Sequence, residues 1–341
     1  MNTRTTRRSF LGQAATLTAG VVVGPGLLAA NDPRAATRPA GTQPAGRSRV
    51  VMARDEALTQ GKVSEHAELV RKLLDASLQR LTGAADAGAA WRKFFKPEDR
   101  VGIKVNTLGL STQPTVVEAI VAGLRQAGVA PEKIIIWDRF DKELLAAGYK
   151  LSKAAGAVQC RGTDAESYGS GYQEQVETSG KIGSCFSKII AEQVDALISV
   201  PVLKDHPFAG ATLGMKNFFG AIHNPNKYHD QNCDPYIVDV VAHRFIRPKW
   251  RLTICDGTRG QYNAGPTRHP GFEWRFGGFL VSDDIVAVDA VGADLLDAHR
   301  KEKGLKALKD DDRPRAPKYI ATAAARGLGV AELNKIERVE V

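Results

Sequence analysis

The chain lacks the signatures of several common protein classes. It has only four cysteines, Cys160, Cys185, Cys233 and Cys255, and no Cys-x-x-Cys pair. An iron–sulfur cluster or a structural zinc site of the usual spacing is therefore not expected. Neither Gly-x-Gly-x-x-Gly nor Gly-x-x-x-x-Gly-Lys-Ser/Thr occurs, so the sequence gives no support for an ordinary nucleotide-binding fold. No internal repeat is evident.

The N-terminal residues predict export. Thr6–Leu11 contains the pair Arg7-Arg8, the following stretch to Ala30 carries no charge, and Leu28–Ala30 offers a small-residue cleavage site. Glycine, glutamine, threonine and proline interrupt the apolar part too often for a membrane span, and no other segment approaches one. We expect residues 1–30 to be a twin-arginine signal peptide and the protein to be periplasmic.

The charge balance favours small anionic partners. The formal net charge is +9, and removal of Arg4, Arg7 and Arg8 with the signal would lower it to +6. A basic protein attracts anions in general. The chain has no stripe of Lys and Arg interleaved with aromatic residues, so nucleic acid is not an expected partner. Stable membrane insertion after signal cleavage is not expected either.

The periplasm is an oxidising compartment, so the exported protein could form disulfide bonds. Four cysteines permit three pairings, of which Cys160 with Cys185 is the expected one. Cys255 lies in an apolar run and is expected to be a buried free thiol or core residue.

The periodicity predicts one α/β domain at 50–341, after a flexible linker at 31–49 that is rich in Pro, Ala, Gly and Thr. Leucines at helical spacing predict a helix over 69–81, with Ser64 as its N-cap and Gly83 just past its end. A strand at 100–105, a helix opened by a capping box at Thr115–Glu118 and ended at Gly128, and a strand at 133–137 predict a βαβ unit.

Further strands are expected at 195–202, 251–255 and 279–281, and helices at 187–193, 285–299 and 321–326. The segment 162–183 matches no pattern clearly. Alternating strands and helices predict a three-layer α/β fold, with a mainly parallel sheet and helices on both faces.

The most informative segment is Val202–Asn217, which contains five potentially reactive side chains: Lys204, Asp205, His206, Lys216 and Asn217. The segment follows a predicted buried strand, and open α/β sheets bind their ligands at the carboxyl ends of strands. The alternative is a solvated loop with two surface lysines. We expect His206 to move a proton, because only histidine titrates near neutrality without help.

Lys216 precedes Phe218 and Phe219 and follows Met215. If these residues desolvate its amine, the charged form is disfavoured and Lys216 becomes a nucleophilic or cofactor-linking amine. If the amine is exposed, Lys216 is an anion clamp.

Two other places could bind ligands. Lys104, Asn106 and Thr115 lie between a predicted strand end and a helix N-terminus, where N–H groups favour a phosphate or carboxylate; the alternative is a plain capped helix. With Lys204 and Asn217 they form the expected anion-binding set.

His206, His229 and Asp256 form a possible metal site, although His223 and His229 are equally compatible with surface histidines. Asp289 could be a buried residue that holds the site loops by hydrogen bonds.

Four segments resemble a bacterial and archaeal family catalogued as domain of unknown function 362: Gly102–Asn106, Val200–His206, Gly214–Asn217 and Cys255–Gly257. The resemblance covers most of residues 50–300. More distantly, His206, Lys216 and His229 occur in an order similar to that of the nickel-pincer lactate racemase family. That likeness implies a histidine, a cofactor-linked lysine and a metal-binding histidine, and a nickel-pincer-like cofactor.

The sequence therefore predicts a periplasmic enzyme acting on a small anionic organic substrate by proton or hydride transfer, with a divalent metal or an organometallic cofactor. The alternative is a ligand-binding or cofactor-delivery protein that uses the same cleft without turnover.

Overall fold

An eleven-stranded mixed sheet forms the centre of the protein. The computed structural model describes residues 47–165, 169–312 and 315–341, all within one compact unit. The strands are β1 (Ser48–Arg54), β2 (Val101–Val105), β3 (Ile134–Asp138), β4 (Gln159–Gly162), β5 (Glu177–Ser179), β6 (Ile182–Ser184), β7 (Ala196–Val200), β8 (Val202–His206), β9 (Gly210–Thr212), β10 (Trp250–Gln261), β11 (Glu273–Trp274), β12 (Gly278–Ser282) and β13 (Ile336–Glu340).

The α-helices are α1 (Ala67–Thr82), α2 (Ala87–Arg92), α3 (Pro114–Gln126), α4 (Asp141–Ala146), α5 (Gly214–Asn217), α6 (Tyr236–Val241), α7 (Ile285–Glu302) and α8 (Tyr319–Ala325). Short 3₁₀ turns connect many of these elements, and the described helices include a single π-helical turn at Ile189–Gln193. The helix predicted over 187–193 is therefore reduced to that turn.

The main path of the sheet runs β13-β1-β12-β10-β7-β2-β3-β4. Adjacent strands from β10 to β4 are parallel, β12 is antiparallel to both β10 and β1, and β13 is parallel to β1. Off this path, β8 pairs in parallel with β10 and antiparallel with β9. Strands β5 and β6 form a separate hairpin. The predicted mainly parallel sheet is confirmed.

Side chains alternate between two hydrophobic cores, one on each face of the sheet. Ile103, Ile198 and Ile254 of neighbouring strands pack in the core that contains the apolar faces of α1 and α3. Leu197 and Cys255 belong to the other core, which includes apolar residues of α5 and α7. Because successive strand residues point to opposite faces, these strands are apolar on both sides. Helices cover both faces, and the predicted three-layer fold is confirmed.

Both predicted helix starts near the N-terminal half need correction. Helix α1 has His66 as its N-cap, and Ser64 lies in the preceding 3₁₀ turn; Gly83 follows the helix in the left-handed conformation, as predicted. Helix α3 begins at Pro114, so Thr115 lies inside its first turn rather than at the cap. Proline is favoured at the first helical position, where its missing N–H has no intrahelical partner to lose.

The chain between β7 and β8 also differs from expectation. The strand predicted over 195–202 stops at Val200, Pro201 intervenes, and β8 then continues to His206. Lys204 and His206 thus lie on a strand and not in a loop. In the same way, Asp256 lies within the long strand β10 and does not follow it.

Strand β1 begins at Ser48, so the last residues of the predicted linker are ordered. The predicted signal peptide and the rest of the linker lie outside the described residues. No helix in the described part of the chain is long and apolar enough to cross a membrane.

All four cysteines are free thiols. The predicted Cys160–Cys185 disulfide is therefore wrong: Cys160 lies buried on β4, and Cys185 is partly exposed just after β6. Cys255 is fully buried, as expected from its apolar surroundings.

Candidate active site

A cavity of about 390 Å³ opens where β2, β3 and β8 end. It is lined by seven of the predicted site residues: Lys104, Asn106, Lys204, His206, Lys216, Asn217 and His229. The structure thus brings together the two sequence segments that were expected to bind anions. Thr115 and Asp256 do not line this cavity. Its position at strand carboxyl ends is where open α/β sheets place their ligands.

Lys104 is a buried lysine whose ammonium already has protein partners. Its Nζ lies 2.6 Å from Oδ1 of Asp138 and 3.2 Å from Oδ1 of Asn217, and it also donates to the carbonyl oxygen of Val105. Burial lowers the pKa of Lys104, while the neighbouring Asp138 opposes this shift. Three donor protons meet three acceptors, so Lys104 ties β2, β3 and α5 together and has no proton left for a ligand.

Lys204 holds the loop that follows β2. Its Nζ donates to Oδ1 of Asn106 at 2.7 Å and to the carbonyl oxygens of Leu108 and Leu110 at 2.6 and 2.7 Å. Burial lowers its pKa to about 7. The predicted role of Lys204 as a direct anion ligand does not fit these contacts, because all its protons are used within the protein.

The side chain of Asp256 occupies the N-terminus of α3. The backbone N–H of Gln113, the N-cap, donates to Oδ2 of Asp256 at 2.8 Å. Oδ1 of the same carboxylate accepts from the backbone and hydroxyl of Thr258. Burial raises the pKa of Asp256 to about 6, and these hydrogen bonds oppose the shift. Asp256 therefore satisfies the helix terminus where a ligand anion was expected.

Helix α5 presents Lys216 and Asn217 to the cavity, and the buried carboxyl group of Asp289 fixes its position. Asp289 of α7 accepts from the backbone N–H groups of Gly214 and Met215 at 2.7 and 3.1 Å. A Cβ at position 214 would lie only 2.9 Å from Oδ1 of Asp289, so glycine permits this approach. Burial raises the pKa of Asp289 to about 8. The expectation that Asp289 holds the site by hydrogen bonds is confirmed.

Lys216 differs from the other two lysines of the cavity. Its Nζ lies 3.1 Å from Nε2 of His229 and 4.0 Å from the centroid of the Phe219 ring. Among the described residues, no carboxylate is within ion-pair distance of it. Burial lowers its pKa to about 8. The amine is thus desolvated, as the sequence predicted, and has hydrogen-bonding capacity to spare.

His206 is held in one tautomer. Its Nδ1 accepts from the backbone N–H groups of Phe208 and Ala209, both at 3.1 Å. Burial lowers the pKa of His206 well below its usual value, and the positive Lys216 adds to the shift. The ring is therefore neutral with its proton on Nε2, which makes His206 a hydrogen-bond donor toward the cavity and not a proton acceptor.

His229 has the opposite tautomer. Its Nδ1 lies 3.2 and 3.3 Å from the carbonyl oxygens of Pro225 and Asn226, which can only accept, so Nδ1 carries the proton. Nε2 then has a free lone pair directed at Nζ of Lys216. Burial lowers the pKa of His229 to about 4. The rings of His206 and His229 stack with centroids 5.3 Å apart.

The expected metal set is not assembled in the described part of the chain. Those residues contain no group of three or more His, Cys, Asp or Glu side chains that could hold a metal. His229 has the tautomer that a metal ligand needs, but Nε2 of His206 carries a proton and Asp256 caps α3. The residues therefore do not fit a metal held by protein side chains alone.

Three charged cavity residues were not predicted as site residues. Asp138, at the end of β3, pairs with Lys104 and accepts from both the backbone and the hydroxyl of Thr107. Arg139 stacks on Phe140, and its buried Nε has no hydrogen-bond partner in the described chain. Glu143 of α4 also lines the cavity, and burial raises its pKa. These residues lie at the end of the buried strand β3 or within five residues after it, and that position is the sequence signal that could have identified them.

A family profile described as domain of unknown function (DUF362) matches residues 96–294, more than half of the chain. All residues that line the cavity fall within that range. The comparison with curated proteins found no match. The chain therefore belongs to the DUF362 family, as the resemblance of its sequence segments predicted.

Proposed function

We propose that this DUF362 protein is an enzyme that exchanges a proton at a carbon next to the carboxylate or carbonyl group of a small organic anion. One observation carries the proposal: the amine of Lys216 is buried, has no carboxylate partner among the described residues and faces the cavity beside two neutral histidines. An amine whose pKa lies near neutrality is suited to general acid–base work.

The cavity supplies a reason for an anionic substrate. Besides Lys216, three cationic side chains line it, Lys104, Lys204 and Arg139, against the two acidic side chains of Asp138 and Glu143. Arg139 lines the cavity and is only half-buried, so its guanidinium could pair with a substrate carboxylate. Asn106 uses its amide oxygen on Lys204, and the amide nitrogen remains as a donor toward the cavity.

The proposed step divides the work between three side chains. Neutral Lys216 takes the proton from the carbon, so that a C–H bond breaks, an N–H bond forms and the electron pair moves to the substrate oxygen. Nε2–H of His206 donates a hydrogen bond to that oxygen, as a neutral histidine can where negative charge develops. His229 accepts from Lys216 through Nε2 and orients its amine. Return of the proton to either face of the carbon would racemise or isomerise the substrate.

Proton transfer is the part of the expected chemistry that these side chains can perform themselves. Amino-acid side chains exchange protons but do not accept hydride, so hydride transfer would need an additional group. The nickel-pincer-like cofactor implied by the more distant resemblance fits in part: Lys216 is a suitable attachment amine and His229 a suitable ligand, but the tautomer of His206 is unsuited to ligation.

Solvent-deuterium incorporation tests the proposal without knowledge of the natural substrate. The protein is incubated in D₂O with a panel of 2-hydroxy, 2-oxo and simple carboxylates, and exchange at the carbon is followed by NMR. We expect at least one acid to exchange, and Lys216→Met to slow that exchange about 100-fold or more. Lys150→Met, at an exposed position outside the cavity, is the matched control and should behave like wild type.

The alternative is a binding or delivery protein that uses the same cleft without turnover. The saturated contacts of Lys104 and Lys204 suit a rigid binding site as well as they suit an enzyme. In that case calorimetry would detect binding of an acid that undergoes no exchange, and His206→Ala would weaken binding. For an enzyme, His206→Ala should slow exchange while most of the affinity remains.

We also propose export by the twin-arginine route, on the basis of Arg7-Arg8 and the uncharged stretch after it. Replacing both arginines by lysine should leave the precursor in the cytoplasm, because the pathway reads that pair. Cell fractionation followed by immunoblotting measures this, and normal periplasmic accumulation of the double variant would contradict the proposal.

A further inference from the structure

Two exposed apolar side chains lie at the mouth of the cavity, beside the exposed Asn226, although the floor is polar and cationic. Leu108 and Phe208 line the cavity and are each 49% exposed. Pro207, Pro225 and Pro266 line it as well. The described chain has few other large apolar side chains with such exposure, and the most exposed of them, Leu145 and Val176, lie away from the cavity. Two exposed apolar side chains at one opening therefore indicate a binding surface more than a chance distribution.

The floor of the cavity is of opposite character. Lys104, Lys204, Lys216 and His206 are all buried, and all four line the cavity. A ligand that complements both regions has a charged head, bound at the floor, and an apolar body that covers the mouth.

The rings connect the two regions continuously. The centroid of Phe208 lies 6.1 Å from that of His206 and 5.8 Å from that of His229, in a nearly perpendicular arrangement with the latter. Phe219 packs edge-on to the other side of His229, with centroids 5.6 Å apart. An apolar body that extends from the carboxylate toward solvent would thus contact aromatic surface along its whole length.

Phe208 is held in place by the chain that follows His229. Nδ2 of Asn232 donates to the carbonyl oxygen of Phe208 at 3.0 Å. Gln231, Asn232 and Cys233 all have positive φ, of 50°, 60° and 60°. Non-glycine residues adopt this conformation at a cost, and such residues cluster at binding sites. The segment after His229 therefore holds the backbone of Phe208 at the mouth of the cavity.

The size of the cavity suits a ligand larger than the smallest acids. Its volume of about 390 Å³ falls within the range of small-molecule sites, roughly 300–1,000 Å³. A ligand of that class with its carboxylate at the buried floor would extend toward Leu108 and Phe208.

We propose that the ligand of this cavity is an amphiphilic carboxylate, with an alkyl or aryl body lying against Leu108 and Phe208 and its carboxylate at the Lys216 end. The carboxylate end of this ligand rests on the proposed function. The alkyl or aryl body is the new element, because the cationic floor of the cavity does not define it.

The experiment compares carboxylates that differ only in their body: acetate, butyrate, hexanoate, octanoate and 3-phenylpropionate, titrated by calorimetry into the full-length protein. We expect affinity to rise about threefold to fourfold with each added methylene up to the filled cavity, the gain corresponding to burial of each group. Phe208→Ser and Leu108→Ser should lose most of that gain for hexanoate and leave acetate unchanged within twofold. Leu145→Ser, also exposed but outside the cavity, is the matched control.

The outcomes separate the two proposals. If acetate and hexanoate bind equally and both lose affinity in Lys216→Met, the amphiphilic ligand is wrong and the small-anion site stands. If hexanoate binds better but Phe208→Ser and Leu108→Ser have no effect on it, the body lies elsewhere and the inference also fails. If no carboxylate binds at all, both proposals fail.

Discussion

Two polar segments meet at the cavity, and they use their hydrogen bonds differently. In the first segment, residues 104–115, the polar groups already have hydrogen-bond partners elsewhere in the protein. Lys104 pairs with Asp138, Lys204 donates to the loop carbonyls, and Asp256 caps α3. The second, around α5, is fixed through its backbone by Asp289, which leaves the amine of Lys216 toward the cavity. We therefore expect spare hydrogen-bonding capacity, and not polarity alone, to separate a ligand-binding side chain from a structural one.

A substitution at Lys204 tests this comparison first, through the sign of a stability change. Lys204→Met would leave three buried oxygen atoms without a donor, at about 1–3 kcal/mol each, and this outweighs relief from burying an amine. We expect a net loss of about 2 kcal/mol in the free energy of unfolding. Urea denaturation at pH 7 measures it, and an unchanged midpoint would show that the loop does not depend on Lys204.

Lys216→Met should have the opposite sign. Burial lowers the pKa of Lys216 from 10.5 to about 8, so at pH 7 the folded protein bears a cost of up to about 3 kcal/mol that methionine would remove, against about 1 kcal/mol for the lost hydrogen bond to His229. Between pH 8 and 10.5 the unfolded chain still binds this proton while the folded one does not, so wild-type stability rises with pH. The advantage of the variant should shrink over that window, and a destabilised variant at pH 7 would contradict the assignment.

Asp289→Asn should disturb the second segment with a smaller loss of stability. The two oxygen atoms of Asp289 each accept one backbone N–H of α5. The side-chain amide of asparagine has only one oxygen, so its NH₂ group would face the second N–H, a donor against a donor. We expect a loss of about 1–2 kcal/mol and a more than tenfold slower proton exchange, because α5 shifts with Lys216. Thermal unfolding and the deuterium assay are compared in the same preparation; unaffected exchange would mean that α5 keeps its place without the carboxylate.

The pH dependence of the same variant sharpens this test. Burial raises the folded pKa of Asp289 to about 8. A raised carboxyl pKa contributes stability that is present at low pH and lost as pH rises from about 4 to about 8. The variant should lack this part of the decline. Identical pH profiles for wild type and variant would show that the carboxyl does not titrate in this window.

The smallest effect is expected at Thr115, which the sequence had placed in the anion site. It lies in the first turn of α3 and does not line the cavity. Thr115→Val should change carboxylate affinity by less than twofold. A tenfold loss would show that the first segment binds ligand after all, and the contrast between the two segments would disappear.

The fold was accessible from the sequence because its signals are local. Apolar strand runs at 101–105 and 134–138 and the leucine spacing of α1 define their elements without any knowledge of neighbours. The errors occurred where tertiary contacts decide. The start of α3 depends on Asp256, far away in the sequence, and the strand character of Lys204–His206 depends on pairing with β9 and β10.

The site was predicted as a set of residues more successfully than as a set of roles. Clustered polar residues after buried strands identify the cavity lining, because parallel strands end at one edge of the sheet. The tautomers of His206 and His229 come from the backbone groups facing Nδ1, two N–H donors in one case and two carbonyls in the other. No pattern of residue types contains that information.

The ammonium group of Lys204 donates all its hydrogen bonds to uncharged oxygen atoms, so its positive charge is not neutralised by a carboxylate partner. Hydrogen bonds saturate an ammonium without cancelling its charge, and no carboxylate of the described chain lies within ion-pair distance of it. Its potential therefore extends into the cavity from a place that salt ions cannot reach, so added salt should screen it weakly. Because its pKa is about 7, the field should weaken as the medium turns alkaline. A lysine that never touches the ligand would thus set how strongly the cavity attracts anions at a given pH.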